Sequence, residues 1–345
     1  DFQVFPKSIQ DALTSRMKIM ANMDIAESRR PQDGRILFKS KMGRIDLRIS
    51  TYPTLFGEKT VLRLLNLKEA LFPLSSLGFR KDTETNFNNM LYGGEGIILV
   101  SGPTGSGKTT TLYSTLNKME KPDINIVTIE DPIEFDLENI NQAQVNTKSG
   151  VTFASALRSI LRQDPDIIMV GEIRDDETVE LAIRAALTGH LVFSTIHTND
   201  AASGFARLLN WEIEPFLIAS TVKGILAQRL VRRICENCRV EHEITDREST
   251  LLKIDKKKYS KTFTGKGCLS CRNSGYRGRV GLYELLKVDE KVSQLVLNQE
   301  PSFKIKEMAR NNGMMTMLED GLQKALDGKT SLHELIEVLG STRDV

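Results

Sequence analysis

Four segments of this chain each run from an apolar stretch of strand length into a polar turn: GIILVSGPTGSGKTT (96–110), NIVTIEDPIE (125–134), DIIMVGEIRD (166–175) and HLVFSTIHTND (190–200). Apolar runs of this length, bounded by turn residues and separated by helical stretches, predict buried parallel strands joined through helices. In an open parallel sheet, ligands collect beyond the carboxyl ends of the strands. The four polar turns are therefore expected on one edge. The first is a G-x-x-x-x-G-K-T loop made of Gly102, Pro103, Thr104, Gly105, Ser106, Gly107, Lys108 and Thr109, followed by Thr110. Glycines at 102, 105 and 107 let backbone N–H groups turn inward around phosphate oxygens. Lys108 adds a charge near the β- and γ-phosphates, and the Thr109 hydroxyl suits Mg2+. The helix opening there adds its positive end.

The other turns carry the chemistry of hydrolysis. Glu130 ends strand 125–130, and Glu172 follows strand 167–171. Cleaving a phosphoanhydride needs an anchor for Mg2+ and a carboxylate that orients and deprotonates water. Two acids at adjacent strand ends can divide those tasks, and residue type alone leaves open which takes which. Asp131 and Glu134 stand as substitutes for Glu130, and a plain ion pair of Glu172 with Arg174 is the competing reading. His190 and His197 bracket one strand, and seven residues at about 3.3 Å put them roughly 23 Å apart. His197 lies on the nucleotide edge, where it can stabilise the transferring phosphoryl group. His190 lies on the far edge and is expected to make a structural hydrogen bond, while His242 and His333 read as surface residues.

Composition narrows the rest. The chain has 345 residues, enough for two or three domains. Lys+Arg 47 against Asp+Glu 45 gives a formal net charge of +2, which supplies no strong attraction to nucleic acid or an anionic membrane. No apolar run is long enough to span a bilayer and no leader pattern stands at the start. Opening on Asp1, the chain reads as a cut from something longer. Its four cysteines form two C-x-x-C pairs, Cys235/Cys238 and Cys268/Cys271, separated by 29 residues (239–267). Cysteines spent this way in a reducing compartment are expected to bind a metal rather than pair as disulfides. Four thiolates suit tetrahedral Zn2+, although the gap exceeds the roughly 15–20 residues of a common zinc ribbon.

Along the chain, Ile9, Leu13, Met17 and Met20 make one face of a helix over 7–23. Strands follow at 36–38, 44–50 and 60–65, the second alternating strictly with Ile45, Leu47 and Ile49 on one face. Residues 1–66 thus read as a small α+β domain, and 67–80 as a linker. From about 81 the rhythm is β-α-β-α, with helices at 82–92, 109–119, 152–163, 176–188 and 214–231. A cysteine segment with little apolar periodicity occupies 232–280. Three or four helices then close the chain over 281–345, the last announced by a capping box Ser331-x-x-Glu334. Arg63 interrupts the apolar face of V-L-R-L-L. With Arg48 it belongs to a domain that has no phosphate loop of its own, so both can act on a neighbour's γ-phosphate or simply form ion pairs.

Together G-P-T-G-S-G-K-T-T, I-V-T-I-E-D-P-I-E-F, L-R-Q-D-P-D-I-I-M-V-G-E-I-R-D and T-G-H-L-V-F-S-T-I-H-T-N resemble the Walker A, Asp, Walker B and His boxes of the secretion ATPases. These are the hexameric motors of type II secretion and type IV pili. The resemblance extends to R-R-P-Q-D-G-R (29–35) and implies a RecA-like P-loop NTPase domain behind an N-terminal α+β domain of PAS-like type. The segment C-E-N-C … C-L-S-C-R-N-S-G-Y-R-G-R-V-G-L-Y-E-L-L is similar to the tetracysteine zinc subdomain of secretion and pilus-extension members, and I-E-P-F-L-I-A-S (213–220) looks nearer to the type II branch. By resemblance Glu130 is the catalytic glutamate, Glu172 the Mg2+-side acid, His197 the γ-phosphate-facing histidine, and Arg48 and Arg63 the trans-acting arginines. Gly171 stands where other P-loop ATPases have aspartate, as is usual in this family.

The same resemblance implies ATP, Mg2+ and Zn2+ as ligands. It also implies a homo-hexamer at the cytoplasmic face of the bacterial inner membrane, held there only through platform and docking proteins, without nucleic acid. A DNA-translocating motor and a non-hydrolysing nucleotide switch are the rivals. The first needs a basic stripe, and the second has no use for two acids and a histidine beside the phosphates.

Overall fold

A computed structural model describes residues 3–40, 43–66 and 72–340. The chain divides into two compact units, Asp1–Leu71 and Phe72–Val345.

In the first unit, helix α1 (Gln10–Met20) precedes three strands, β1 (Gln32–Ser40), β2 (Gly43–Thr54) and β3 (Gly57–Asn66), which form an antiparallel meander. Alternation puts Ile36 and Ile49 on the covered face, where they meet Ala21, Met17, Met23 and Leu47. Lys18, buried on α1, is stabilised by Glu58 at 2.7 Å and by the Glu27 carbonyl at 2.7 Å. The register sets Arg35 opposite Arg48 and Arg48 opposite Arg63. Three arginines therefore line up across the sheet, an arrangement that like-charge repulsion opposes.

The expected linker lies partly outside the described residues. From Phe72 on it belongs to the second unit. The Leu77 carbonyl accepts from the Gly281 N–H at 3.4 Å and the Tyr283 hydroxyl at 3.1 Å, and Phe79 stacks on Tyr283 at 3.9 Å.

The second unit starts with α2 (Lys81–Leu91), β4 (Gly96–Ser101), α3 (Lys108–Met119), β5 (Ile126–Glu130) and β6 (Asn141–Gln144). It continues with α4 (Phe153–Ile160), β7 (Ile167–Val170), α5 (Asp176–Leu187), β8 (Leu191–Ile196), α6 (Ala202–Leu209) and α7 (Pro215–Thr221). Next comes β9 (Val222–Ile234), which corrects the helix expected over 214–231. Of that span only Pro215–Thr221 is helical. After β10 (Arg239–Glu243), α8 (Asp246–Leu252) and β11 (Lys261–Gly265), β12 (Tyr276–Lys287) occupies ground assigned to loop and helix. Helices α9 (Glu290–Leu297), α10 (Ser302–Asn311), α11 (Met317–Leu326) and α12 (Leu332–Leu339) complete the unit.

Seven strands form one sheet in the order β12-β9-β4-β8-β7-β5-β6, parallel throughout except for β12. Because both faces carry helices, β4, β5, β7 and β8 are buried along their whole length. At Gly224 a Cβ would meet Met90 at 2.5 Å and the Leu286 carbonyl at 2.8 Å, so β9 fits between β4 and β12 only with glycine there. The capping box at α12 is half formed. Ser331 accepts from the Glu334 N–H, but the Glu334 carboxylate turns to Arg232 on β9. No described helix is long and apolar enough to cross a membrane.

Candidate active site

The parallel order brings the ends of β4, β5, β7 and β8 to one edge, and the loop 102–107 passes from β4 into α3 there. Gly102 has φ 149° and a Cβ on it would lie 2.6 Å from the Gln228 carbonyl; Gly107 has φ 88°. Both require glycine. The Lys108 ammonium folds back onto the loop, donating to the carbonyls of Gly102 at 2.7 Å and Pro103 at 3.1 Å. Burial lowers its pKa, opposed by the charge of Glu172. The Ser106 hydroxyl is buried without a partner among the described residues. A loop with an inward lysine and an orphaned hydroxyl fits the oxygens of a phosphate chain. Cavities of about 540 and 330 Å3 flank the loop tip and share Pro103, Thr104 and Asn199.

Glu172 lies between two partners. Arg174 donates to one of its oxygens, and His197 Nε2 stands 3.6 Å from the other. Arg174 also lies 3.7 Å from Asp131. Burial and the charge of Lys108 hold the His197 imidazole below the usual histidine range, so it is neutral at pH 7 and can accept or donate a proton. Gly171 packs against the end of β5, and a Cβ there would come 3.3 Å from both the Glu130 Cα and the Ile129 carbonyl. That close approach disfavours any larger residue at 171.

Glu130, at the end of β5, is 3% exposed. Tyr113 of α3 donates to its Oε2, and its Oε1 accepts from Thr128 Oγ1 at 2.8 Å and Gln142 Nε2 at 3.0 Å.

The remaining histidines separate as follows. His190 Nδ1 lies 2.8 Å from the Ala185 carbonyl on the opposite edge, a structural bond. His333 is exposed. The surface reading of His242 is corrected: it is half-buried, with Nε2 3.0 Å from Glu248. Arg48 and Arg63 lie in the first unit, side by side on neighbouring strands.

Residues not anticipated complete the site. Gln228, buried on β9, donates to the Ser106 carbonyl at 2.7 Å and accepts from Thr111 at 2.9 Å, so it fixes the phosphate loop from beneath. Arg229 donates to the Asn199 carbonyl and Oδ1 at 3.1 and 3.3 Å and steadies the loop after His197.

A second cluster lies at the far end of β9. The sulfurs of Cys235, Cys238, Cys268 and Cys271 all fall within 4.8 Å of one another, with separations of 3.9, 3.8 and 3.7 Å among them. Tetrahedral zinc with Zn–S of about 2.3 Å would set its sulfurs about 3.8 Å apart. The donor set therefore fits that ion. Burial works against ionising Cys271, yet the N–H groups of Cys268 and Gly275 draw its thiol down to about 6.

A phosphate loop heading a doubly wound parallel sheet, with acids and a histidine on neighbouring strand ends, defines a P-loop nucleotide-binding protein. More particularly, the chain belongs to the family described as Type II/IV secretion system protein, which matches residues 5–337. The type II secretion system protein HxcR of Pseudomonas aeruginosa is 47% identical over 338 residues, 98% of this chain and 68% of that protein. The type IV pilus assembly ATPase PilB of Thermus thermophilus is 46% identical over 337 residues, 97% of this chain and 38% of that protein. Identity thus does not separate the two branches. Among solved structures, the pilus retraction motor PilT with bound ADP matches 97% of this chain and 84% of its own, with a TM-score of 0.68 and 28% identity.

Proposed function

We propose that this chain is the motor part of an ATP-hydrolysing homo-hexamer that drives type II secretion or type IV pilus assembly from the cytoplasmic face of the inner membrane, recruited there by platform and docking proteins. The observation that carries this reading is the meeting of Lys108, Thr109, Glu172 and His197 at one sheet edge, with Glu130 on the strand beside them. In it, residues 102–110 hold the phosphates and Lys108 leaves its loop carbonyls for phosphate oxygens. Glu172 and Thr109 hold Mg2+, which would neutralise the phosphate charge when bound. Glu130 orients and deprotonates the attacking water, and His197 donates a hydrogen bond to the transferring group.

The first unit, which we read as PAS-like, supplies Arg48 and Arg63 to a neighbouring subunit's γ-phosphate. Closed heterologous contacts give every subunit such a neighbour. The tetracysteine cluster holds one structural Zn2+.

Phosphate release from ATP with Mg2+ tests the reading, and a chain that binds ATP without turnover would be the nucleotide switch instead. Arg63→Ala is expected to lower kcat by about tenfold while nucleotide affinity is kept. The loss is smaller than for a lone arginine finger because Arg48 remains. Unchanged turnover would remove the arginine from the mechanism.

A further inference from the structure

The hydrogen bonds around Glu130 single out a residue of α3 that is neither part of the phosphate loop nor needed there for apolar packing alone. The Tyr113 side chain is fully buried, yet its hydroxyl sits where several polar groups converge. It donates to Glu130 Oε2, accepts from the Glu134 N–H at 3.2 Å and lies 3.4 Å from Gln142 Nε2. Gln142 in turn donates to Glu130 Oε1 and accepts from the Leu137 N–H at 2.7 Å. Both carboxylate oxygens are thus engaged, and the loop after β5 is tied to the same hydroxyl. Three donors on its two oxygens fix the orientation of the carboxylate.

The sequence position of Tyr113 gives this network a use. Helix α3 begins at Lys108, and Tyr113 lies five residues later, about 7.5 Å along the axis at 1.5 Å per residue. The helix whose first turn meets the phosphates is thereby bonded to the acid on the next strand end but two. We propose that Tyr113 is a positioning residue that orients the Glu130 carboxylate and couples it to the helix that binds the phosphates. This rests on the reading of Glu130 as the catalytic carboxylate.

The groups facing this site from each packed element are few. Burial and the Glu130 carboxylate raise the Tyr113 hydroxyl, opposed by the Glu134 N–H in the loop after β5, so the phenol stays a donor throughout the working pH range. Asp131 is turned toward Arg174 from the loop after β7. Strands β5 and β6 contribute the neutral Thr128 and Gln142.

Tyr113→Phe keeps the ring and deletes the donor. Expected in this chain are a kcat lower by about tenfold and an ATP KM within about twofold, a split that a general loss of folding would not produce. Thr128→Val, which removes a donor to the other oxygen, should lower kcat with KM kept in the same way, so the proposal does not depend on one variant folding. If both variants melt like the parent and leave kcat unmoved while Glu130→Gln abolishes turnover, the positioning role is wrong and the catalytic reading of Glu130 stands. If Glu130→Gln turns over normally, both fall.

Discussion

Lys108→Ala is expected to leave no more than about 1% of ATP turnover, in a protein that still folds. The argument begins with what the ammonium touches. Its partners are the Gly102 and Pro103 carbonyls of its own loop, and both are acceptors that water can satisfy once the side chain is gone. The loop is held from beneath by Gln228 and by the conformation of its glycines, so its shape does not depend on the lysine. What the substitution removes is a preorganised charged donor aimed into the loop. Deleting one such donor from a reacting site costs about 10²–10³ in kcat, and weaker phosphate binding adds to that. Burial already lowers the Lys108 pKa while Glu172 opposes the shift, as befits a charge poised for an anion. Phosphate release and nucleotide affinity, read beside a melting curve, check the prediction. Full activity in a well-folded Lys108→Ala would refute the placement of the site.

The site was legible where its residues follow strands that show as unbroken apolar runs. Strands β4, β5, β7 and β8 are buried on both faces, and each runs into a polar turn, so their shared edge could be reasoned out, though not the order in which they lie. Strand β9 defeats the same reasoning. Its Val222, Ile225, Leu226, Leu230 and Val231 repeat at spacings of three, four, eight and nine from the first, which is a helical pattern. A strand covered on both sides has no period of two to set against it. Gly224 was the available signal, since tight packing against Leu286 and Met90 demands it and a helix interior would not. With β9 misread, Gln228 and Arg229 were placed on a helix and their contacts with the phosphate loop and Asn199 stayed hidden. Tyr113 was obscured differently. It sits on the covered face of α3 among Leu112, Leu116 and Phe135, where an aromatic residue needs no polar explanation, and only the position of its hydroxyl reveals one.

Removing the metal from the cysteine cluster should have the largest effect on stability, and it should act unevenly. Cys235 and Cys271 are buried, and four thiols this close cannot all ionise without a cation between them. Structural zinc in small domains is worth roughly 10–16 kcal/mol of apparent binding energy at neutral pH. Here part of the subdomain is held independently. Ile244 and Leu252 join the main core, and Arg239 covers Phe263 beside α11. The loops that carry the cysteines lack that support. The Cys235 N–H donates to the Gly275 carbonyl and the Lys266 N–H to the Cys238 carbonyl, so each loop is fixed mainly by the other and by the sulfurs. A double Cys235→Ser/Cys268→Ser variant is therefore expected to lose its zinc and to show fast amide exchange over 235–238 and 266–275, with a lowered Tm. Because Gln228 lies seven residues up β9 from Cys235, about 23 Å along the strand, nucleotide affinity at low temperature should hardly change. Metal analysis of the parent chain decides the premise: about one zinc per chain supports the four-thiolate site, and less than about half an equivalent undercuts it. A variant that loses zinc and nucleotide binding together would mean that the clamp on β9 extends to the phosphate loop.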